Sequence, residues 1–230
     1  MFYYGTCICG LQFILMFQTN LLFGIPIYKT KIDPSLYDKE KIVSTISKNY
    51  SLGPRNNFDH YNSNAHMSYA DEGNSKFEAL DYSKLKKVYD NVFSNFVKSL
   101  KLDYKGNINC EYGVINYTVS SKDDYMGSHN HLPANDFGCV HYLQLGEDQL
   151  GTKFENTHIF SGYFKYLRPN MYNSMNKHDT INSYTGSYYT LNVEEDDMII
   201  FPSIAEHGIN KLDKLSDKLR ITIATNLRLK

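Results

Sequence analysis

Two histidines, His129 and His131, stand two positions apart in the segment SHNHLPAND, just ahead of the strand-like run FGCVHYLQL. In extended backbone such residues project to one face with their Cα atoms about 6–7 Å apart, so two imidazoles can converge on one ion. A third histidine, His207, follows DDMIIFPS, where an acidic turn leads into a buried-type strand and then a loop. A ligand from a distant part of the chain would be presented in that way. Further on, LRITIATNL alternates Arg220, Thr222, Ala224 and Asn226 with Leu219, Ile221, Ile223 and Thr225. A lone Arg among apolar neighbours needs an anion. Its fork takes a carboxylate through two parallel hydrogen bonds, and Thr222 adds a hydroxyl on the same face. Each motif alone has a plainer reading: solvated loop histidines for HNH and His207, an edge salt bridge for Arg220. It is the ordered combination that points to a metal centre beside an anion site.

The elements that must position these residues follow from the pattern around them. From Asn107 onwards the chain is a series of short β-branched and aromatic runs separated by turn residues: EYGVINYTV, FGCVHYLQL, HIFSGYFKYL, SYYTLNV, MIIFPS and LRITIATNL. Such a series predicts an antiparallel sandwich or barrel. Ahead of it, Ile25 to Ile32 reads as an opening strand, and residues 35–48 as an amphipathic helix with Leu36, Ile42, Val43 and Ile46 on one face. A second helix carries Leu85, Val88, Tyr89, Val92, Phe93, Phe96, Val97 and Leu100 at spacings of three and four, a stripe that should brace a sheet. Residues 51–74 lack periodicity and are expected to be a loop; its stretch from Asn56 to Met67 is long and polar enough to close over a site. His60, His66, His141, His158 and His178 have no partner at chelating spacing and are expected to be packed or solvated.

Composition narrows the partners. Lys plus Arg number 24 against 25 for Asp plus Glu, a net charge of -1, so neither a nucleic-acid footprint nor a polybasic membrane face is expected. Cys7, Cys9, Cys110 and Cys139 form no CxxC pair and no regular framework, which argues against structural zinc or a disulfide scaffold and for a reducing cytoplasm. The apolar stretch at residues 1–28 has three readings: an upstream extension or buried strand, an anchor, or a signal peptide. A membrane role is disfavoured because Gln12, Gln18, Thr19 and Asn20 interrupt it and no positive charge precedes it. The remainder, 29–230, is expected to be one domain with its β core at about 107–230.

Over residues 112–229 the ordered set of HNH, FPS with His207, and Arg220-x-Thr222 resembles the 2-oxoglutarate and iron(II)-dependent dioxygenase superfamily. The likeness is to its prolyl-hydroxylase-like branch and to small phage-type oxygenases. The resemblance implies an α+β chain with a double-stranded β-helix (jelly-roll) core braced by N-terminal helices. It also implies Fe(II), 2-oxoglutarate and O2 as cofactor and co-substrates, with a small molecule or a protein side chain hydroxylated. It makes His129 and His207 iron ligands, Arg220 the anchor for the remote carboxylate of 2-oxoglutarate, and Thr222 its hydroxyl partner. Tyr142 and, more weakly, Tyr117 match tyrosines that support the co-substrate. The departure is at the second ligand, where the family pattern is His-x-Asp and this chain has His131. Either His131 binds, or Asp136 reaches back from the same loop. Two other readings stay open: a cupin-like three-histidine enzyme that uses no keto acid, and a non-catalytic protein on the same scaffold.

Overall fold

The computed structural model describes residues 18–22, 24–53, 63–70, 75–100, 108–146, 149, 151–157, 166–168, 170, 188–211 and 218–230. Most of the apolar start, the loop around His60, the run HIFSGYFKYL up to residue 165, His158 and His178 lie outside them.

The opening strand is there, and it is half of a hairpin. Strands β1 (Gln18–Leu22) and β2 (Ile25–Lys31) pair antiparallel from Gln18↔Lys29 to Leu22↔Ile25. Gly24, at a φ of +81, makes the reversal. Asp33 then accepts the Ser35 N–H at 2.9 Å and starts a single 3-10 turn at Pro34–Leu36, before helix α1 begins (Lys39–Leu52). The helix therefore starts later than its sequence pattern suggests. Leu36 is left on the 3-10 turn, 58% exposed, while Ile42 and Ile46 are buried as expected. Helix α2 (Ser83–Ser99) buries Leu85, Tyr89, Val92, Phe93 and Phe96, the stripe that its spacing marks out.

The β half supplies the other strands. They are β3 (His66–Met67), β4 (Cys110–Tyr112), β5 (Asn116–Ser120), β6 (Met126–His129), β7 (Phe137–Gln144) and β8 (Lys153–Glu155). After the insert come β9 (Tyr188–Thr190), β10 (Asp197–Pro202), β11 (His207–Ile209) and β12 (Arg220–Leu229). Among the described residues they form a major sheet in the order β1-β2-β10-β7-β12-β5-β3, with β4 also on β12, and a minor sheet β6-β11-β8-β9. All pairings are antiparallel.

Strand parity sorts the core into two layers. Cys139 and Leu143 of β7, Met198 and Ile200 of β10, and Ile221 and Ile223 of β12 pack with the apolar faces of α1 and α2. The opposite face of the major sheet turns Tyr142, Ile199 and Phe201 toward Phe154 of the minor sheet. The helices thus close one side of the major sheet, and its other side meets the minor sheet. Among the described residues no helix is long and apolar enough to cross a membrane.

The helix-facing layer contains one buried polar pair. The Tyr89 hydroxyl lies 2.9 Å from Nδ1 of His141, whose ring also meets Tyr37 edge-on at 6.0 Å. Burial, with the Lys39 charge adding to it, pushes the His141 imidazole down to about 3. The folded state thus resists a proton that the unfolded chain takes up near 6.5. Stability is complete above pH 6.5 and falls as the pH drops toward 3, by about 1.4 kcal/mol per pH unit for this one group. Urea unfolding of His141→Gln across pH 4–8 is expected to show that slope reduced by one proton. An unchanged slope would assign the acid sensitivity elsewhere.

Candidate metal centre and co-substrate pocket

The minor sheet brings two of the three histidines side by side. β6 and β11 run antiparallel with His129 and His207 as direct cross-strand partners, so their side chains leave the sheet on one face, with ring centroids 4.4 Å apart. The pairing is tight because Gly208 follows His207: a Cβ there would stand 2.6 Å from the Met126 carbonyl oxygen. His131 lies two residues past His129, where its backbone N–H donates to the Ser203 carbonyl at 3.0 Å. Its ring centroid is 5.3 Å from that of His129 and 5.0 Å from that of His207. One ligand atom from each of the three lies within 4.8 Å of the others.

Hydrogen bonds on the far ring nitrogens orient the trio. Nδ1 of His129 donates to the Gly127 carbonyl at 3.0 Å, and Nδ1 of His207 to the Ala205 carbonyl at 2.8 Å. A carbonyl can only accept, so both rings carry their proton on Nδ1 and keep a lone pair on Nε2. Nδ1 of His131 faces Oδ1 of Asn226, and its Nε2 is buried with no hydrogen-bond partner. Burial lowers all three pKa values, His207 most strongly, and their proximity adds to the effect for His131 and His207. Three neutral imidazoles with converging lone pairs suit a first-row divalent ion, iron among them.

Asp136 does not join them. It is exposed at the start of β7, and its carboxylate accepts the Leu229 N–H at 2.8 Å while its own N–H donates to the Leu227 carbonyl at 2.9 Å. Both bonds tie it to the end of β12, away from the trio.

The same cavity is lined by Arg220, Thr222, Thr118 and Asn226 alongside the three histidines. Arg220 opens β12 opposite Ser120 of β5 and is fully buried. Its guanidinium carbon lies 5.4 Å from the centre of the Tyr142 ring, within cation–π range. Tyr142 is held in turn by Thr152, at 2.6 Å between hydroxyls and 2.9 Å from the Thr152 N–H. Burial lowers the Arg220 pKa and Tyr142 opposes that shift, yet a guanidinium keeps its proton in proteins. Among the described residues lining the cavity it is the one formal charge, so an anion entering there meets a fixed cation.

Tyr117 is placed elsewhere, and register is the reason. It pairs with Ile223, whereas its neighbour Thr118 pairs with Thr222, so Tyr117 shares the helix-facing parity. Its ring lies in the core beneath α1 and α2 and stacks on buried His66 at 6.0 Å. The inward position on β5 belongs to Thr118. Sequence reasoning assigned no role to Thr118, Thr152 or Asn226. Alternation along LRITIATNL places Asn226 on the Arg220 face; nothing comparable marks the other two.

With the geometry in place, comparison with known proteins is informative. Residues 116–226, which span β5 to β12 and contain every residue of the trio and the Arg220 site, match the family described as "Putative 2OG-Fe(II) oxygenase". That segment is just under half of the chain, and over it the sequence is similar to the 2OG-Fe(II) oxygenase family. Fe(II), 2-oxoglutarate and O2 are the cofactor and co-substrates of this class. No curated protein matches the sequence. Among solved structures, a prolyl-4-hydroxylase of Pseudomonas putida superposes with a TM-score of 0.50 at 10% identity, over 94% of this chain and 93% of that one. A prolyl hydroxylase from Trichoplax adhaerens gives 0.49 at 11% identity over 87% and 83%, and a viral collagen prolyl hydroxylase from Paramecium bursaria Chlorella virus-1 gives 0.46 at 10% over 86% and 94%. At such identity the likeness concerns the fold, and the two facing sheets of this chain are the double-stranded β-helix with helices packed on its major sheet.

Proposed function

We propose that His129, His131 and His207 hold Fe(II) through their Nε2 atoms, and that Arg220 and Thr222 anchor the remote carboxylate of 2-oxoglutarate. In the reaction, 2-oxoglutarate, O2 and a C–H bond of a second substrate become succinate, CO2 and a C–OH group. The observation that carries this reading is the cavity itself. Three neutral imidazoles converge in it, one with a buried Nε2 that makes no hydrogen bond, and a fully buried Arg lines the same space. Iron, when bound, supplies the activation of O2 against the keto acid.

The residues of the chain have separate tasks. The Gly127 and Ala205 carbonyls keep Nε2 of His129 and His207 available. Tyr142, fixed by Thr152, lies against the Arg220 guanidinium and limits where its fork can point. Met67, Met126 and Ile209 add apolar lining that keeps water from the reacting groups and suits an uncharged substrate. The second substrate is proposed to be a protein side chain, such as a prolyl ring, or a small molecule. The shared fold with a prolyl-4-hydroxylase supports the former.

The all-histidine trio also favours a second reading, a cupin-like metal enzyme without a keto acid. One experiment separates the two. Iron-loaded protein, kept anaerobic, is expected to bind 2-oxoglutarate and, on admission of O2 with candidate peptides or metabolites, to form succinate in step with the hydroxylated product. Folded, iron-loaded protein with no affinity for 2-oxoglutarate would leave the cupin-like reading in place.

A further inference from the structure

Two of the three histidines are oriented by backbone, and the third is not. His129 and His207 each give their Nδ1 proton to the carbonyl two residues upstream, Gly127 and Ala205. Those acceptors are backbone atoms, one in β6 and one in the turn before β11, and do not depend on a side chain. His131 lies past the end of β6, in the loop that leads to β7, and its Nδ1 meets a side chain from the major sheet, Oδ1 of Asn226 on β12. Asn226 lines the cavity on the same strand as Arg220 and Thr222.

Resting on the metal-binding reading above, we propose that Asn226 is the positioning residue for His131: its amide oxygen accepts the Nδ1 proton and so leaves Nε2 as the ligating atom. An amide can present either end. With its NH2 toward Nδ1, the His131 proton would move to Nε2, point into the trio and block coordination. With oxygen toward Nδ1, all three rings share one tautomer, and the buried Nε2 of His131, which makes no hydrogen bond, becomes the third donor. An aspartate, the residue that the family pattern has at this position, would need no such device, because a carboxylate has no ring proton to place. Asn226 is then the companion of the His131 replacement, and β12 serves both halves of the site: the anion through Arg220 and the metal through Asn226.

The test is a double-mutant cycle on the full chain, read as Fe(II) affinity by anaerobic titration without 2-oxoglutarate, with thermal melting of each apoprotein to confirm folding. Asn226→Leu keeps the approximate volume and removes the acceptor. It is expected to weaken Fe(II) binding by about 10–100-fold, as loss of an orienting partner does. Asn226→Asp, which can only accept, is expected to hold iron at least as tightly as the wild type. In a His131→Asp background, Asn226→Leu is expected to change affinity less than about threefold, since no ring proton remains to be placed. Equal losses in the two backgrounds, or an Asn226→Asp loss as large as that of Asn226→Leu, would overturn the positioning role. Wild-type protein that binds no iron would remove the metal centre itself, whereas wild-type binding that Asn226→Leu leaves unaltered removes only this inference.

Discussion

Arg220→Ala is expected to abolish measurable 2-oxoglutarate binding while leaving Fe(II) binding and the fold in place. The guanidinium is fully buried at the first residue of β12, with Tyr142 against its face and Thr222 beside it on the inner side of the sheet. A carboxylate reaching that point gives up its water, and only a fixed cation with parallel donors repays the loss. Truncating one member of such a buried charge pair costs about 2–5 kcal/mol, or roughly 30- to 5,000-fold in affinity. Arg220→Lys keeps the charge but loses the fork, so it should fall between wild type and Ala. Titration of 2-oxoglutarate into the iron-loaded variants reads the effect, with Fe(II) affinity as the control. The proposed iron ligands are on the minor sheet and its adjoining loop, so Fe(II) affinity without 2-oxoglutarate should stay within a few-fold of wild type. An unchanged 2-oxoglutarate affinity in Arg220→Ala would mean that the anion site is elsewhere.

What could be read from the sequence was what depends on a single segment. The α2 stripe and the parity of LRITIATNL are properties of one helix and one strand, and each appears in the fold as its spacing requires. What misled was what depends on how two segments are set against each other. Tyr117 lies on a strand next to β12, but its face follows from the pairing Ile223↔Tyr117, and a slip of one residue would have turned it inward. Asp136 was an open alternative to His131 because it shares the loop. The loop carries it instead to the end of β12, where it caps the Leu229 N–H. Leu36 was assigned to a helical face, and the Asp33–Pro34 start turned the chain into a 3-10 turn first. Asn226 had the right parity, but a partner for it exists only because the loop after β6 lays His131 over the far end of β12.

The proposed ligand His131 gives the second large expectation, a change in how metal and co-substrate depend on each other. Three neutral imidazoles leave the full charge of a divalent ion in place, with the Arg220 charge in the same cavity, so a dianion is the natural complement of the wild-type centre. His131→Asp adds one negative charge at the metal. Unit charges 4 Å apart interact by about 4 kcal/mol at an effective dielectric constant near 20, and shortening the side chain from imidazole to carboxylate offsets part of that. Iron alone should therefore bind His131→Asp at least tenfold more tightly than wild type, while 2-oxoglutarate should bind the iron-loaded variant more weakly. Because coupling between two ligands is reciprocal, the factor by which 2-oxoglutarate tightens iron must equal the factor by which iron tightens 2-oxoglutarate. That shared factor is expected to be at least tenfold larger in the wild type than in His131→Asp. It is measured by titrating Fe(II) anaerobically with and without saturating 2-oxoglutarate in both proteins. Equal coupling factors would show that the charge at position 131 does not govern retention of the metal. The predicted inequality would make the histidine a device that ties iron binding to the presence of the co-substrate.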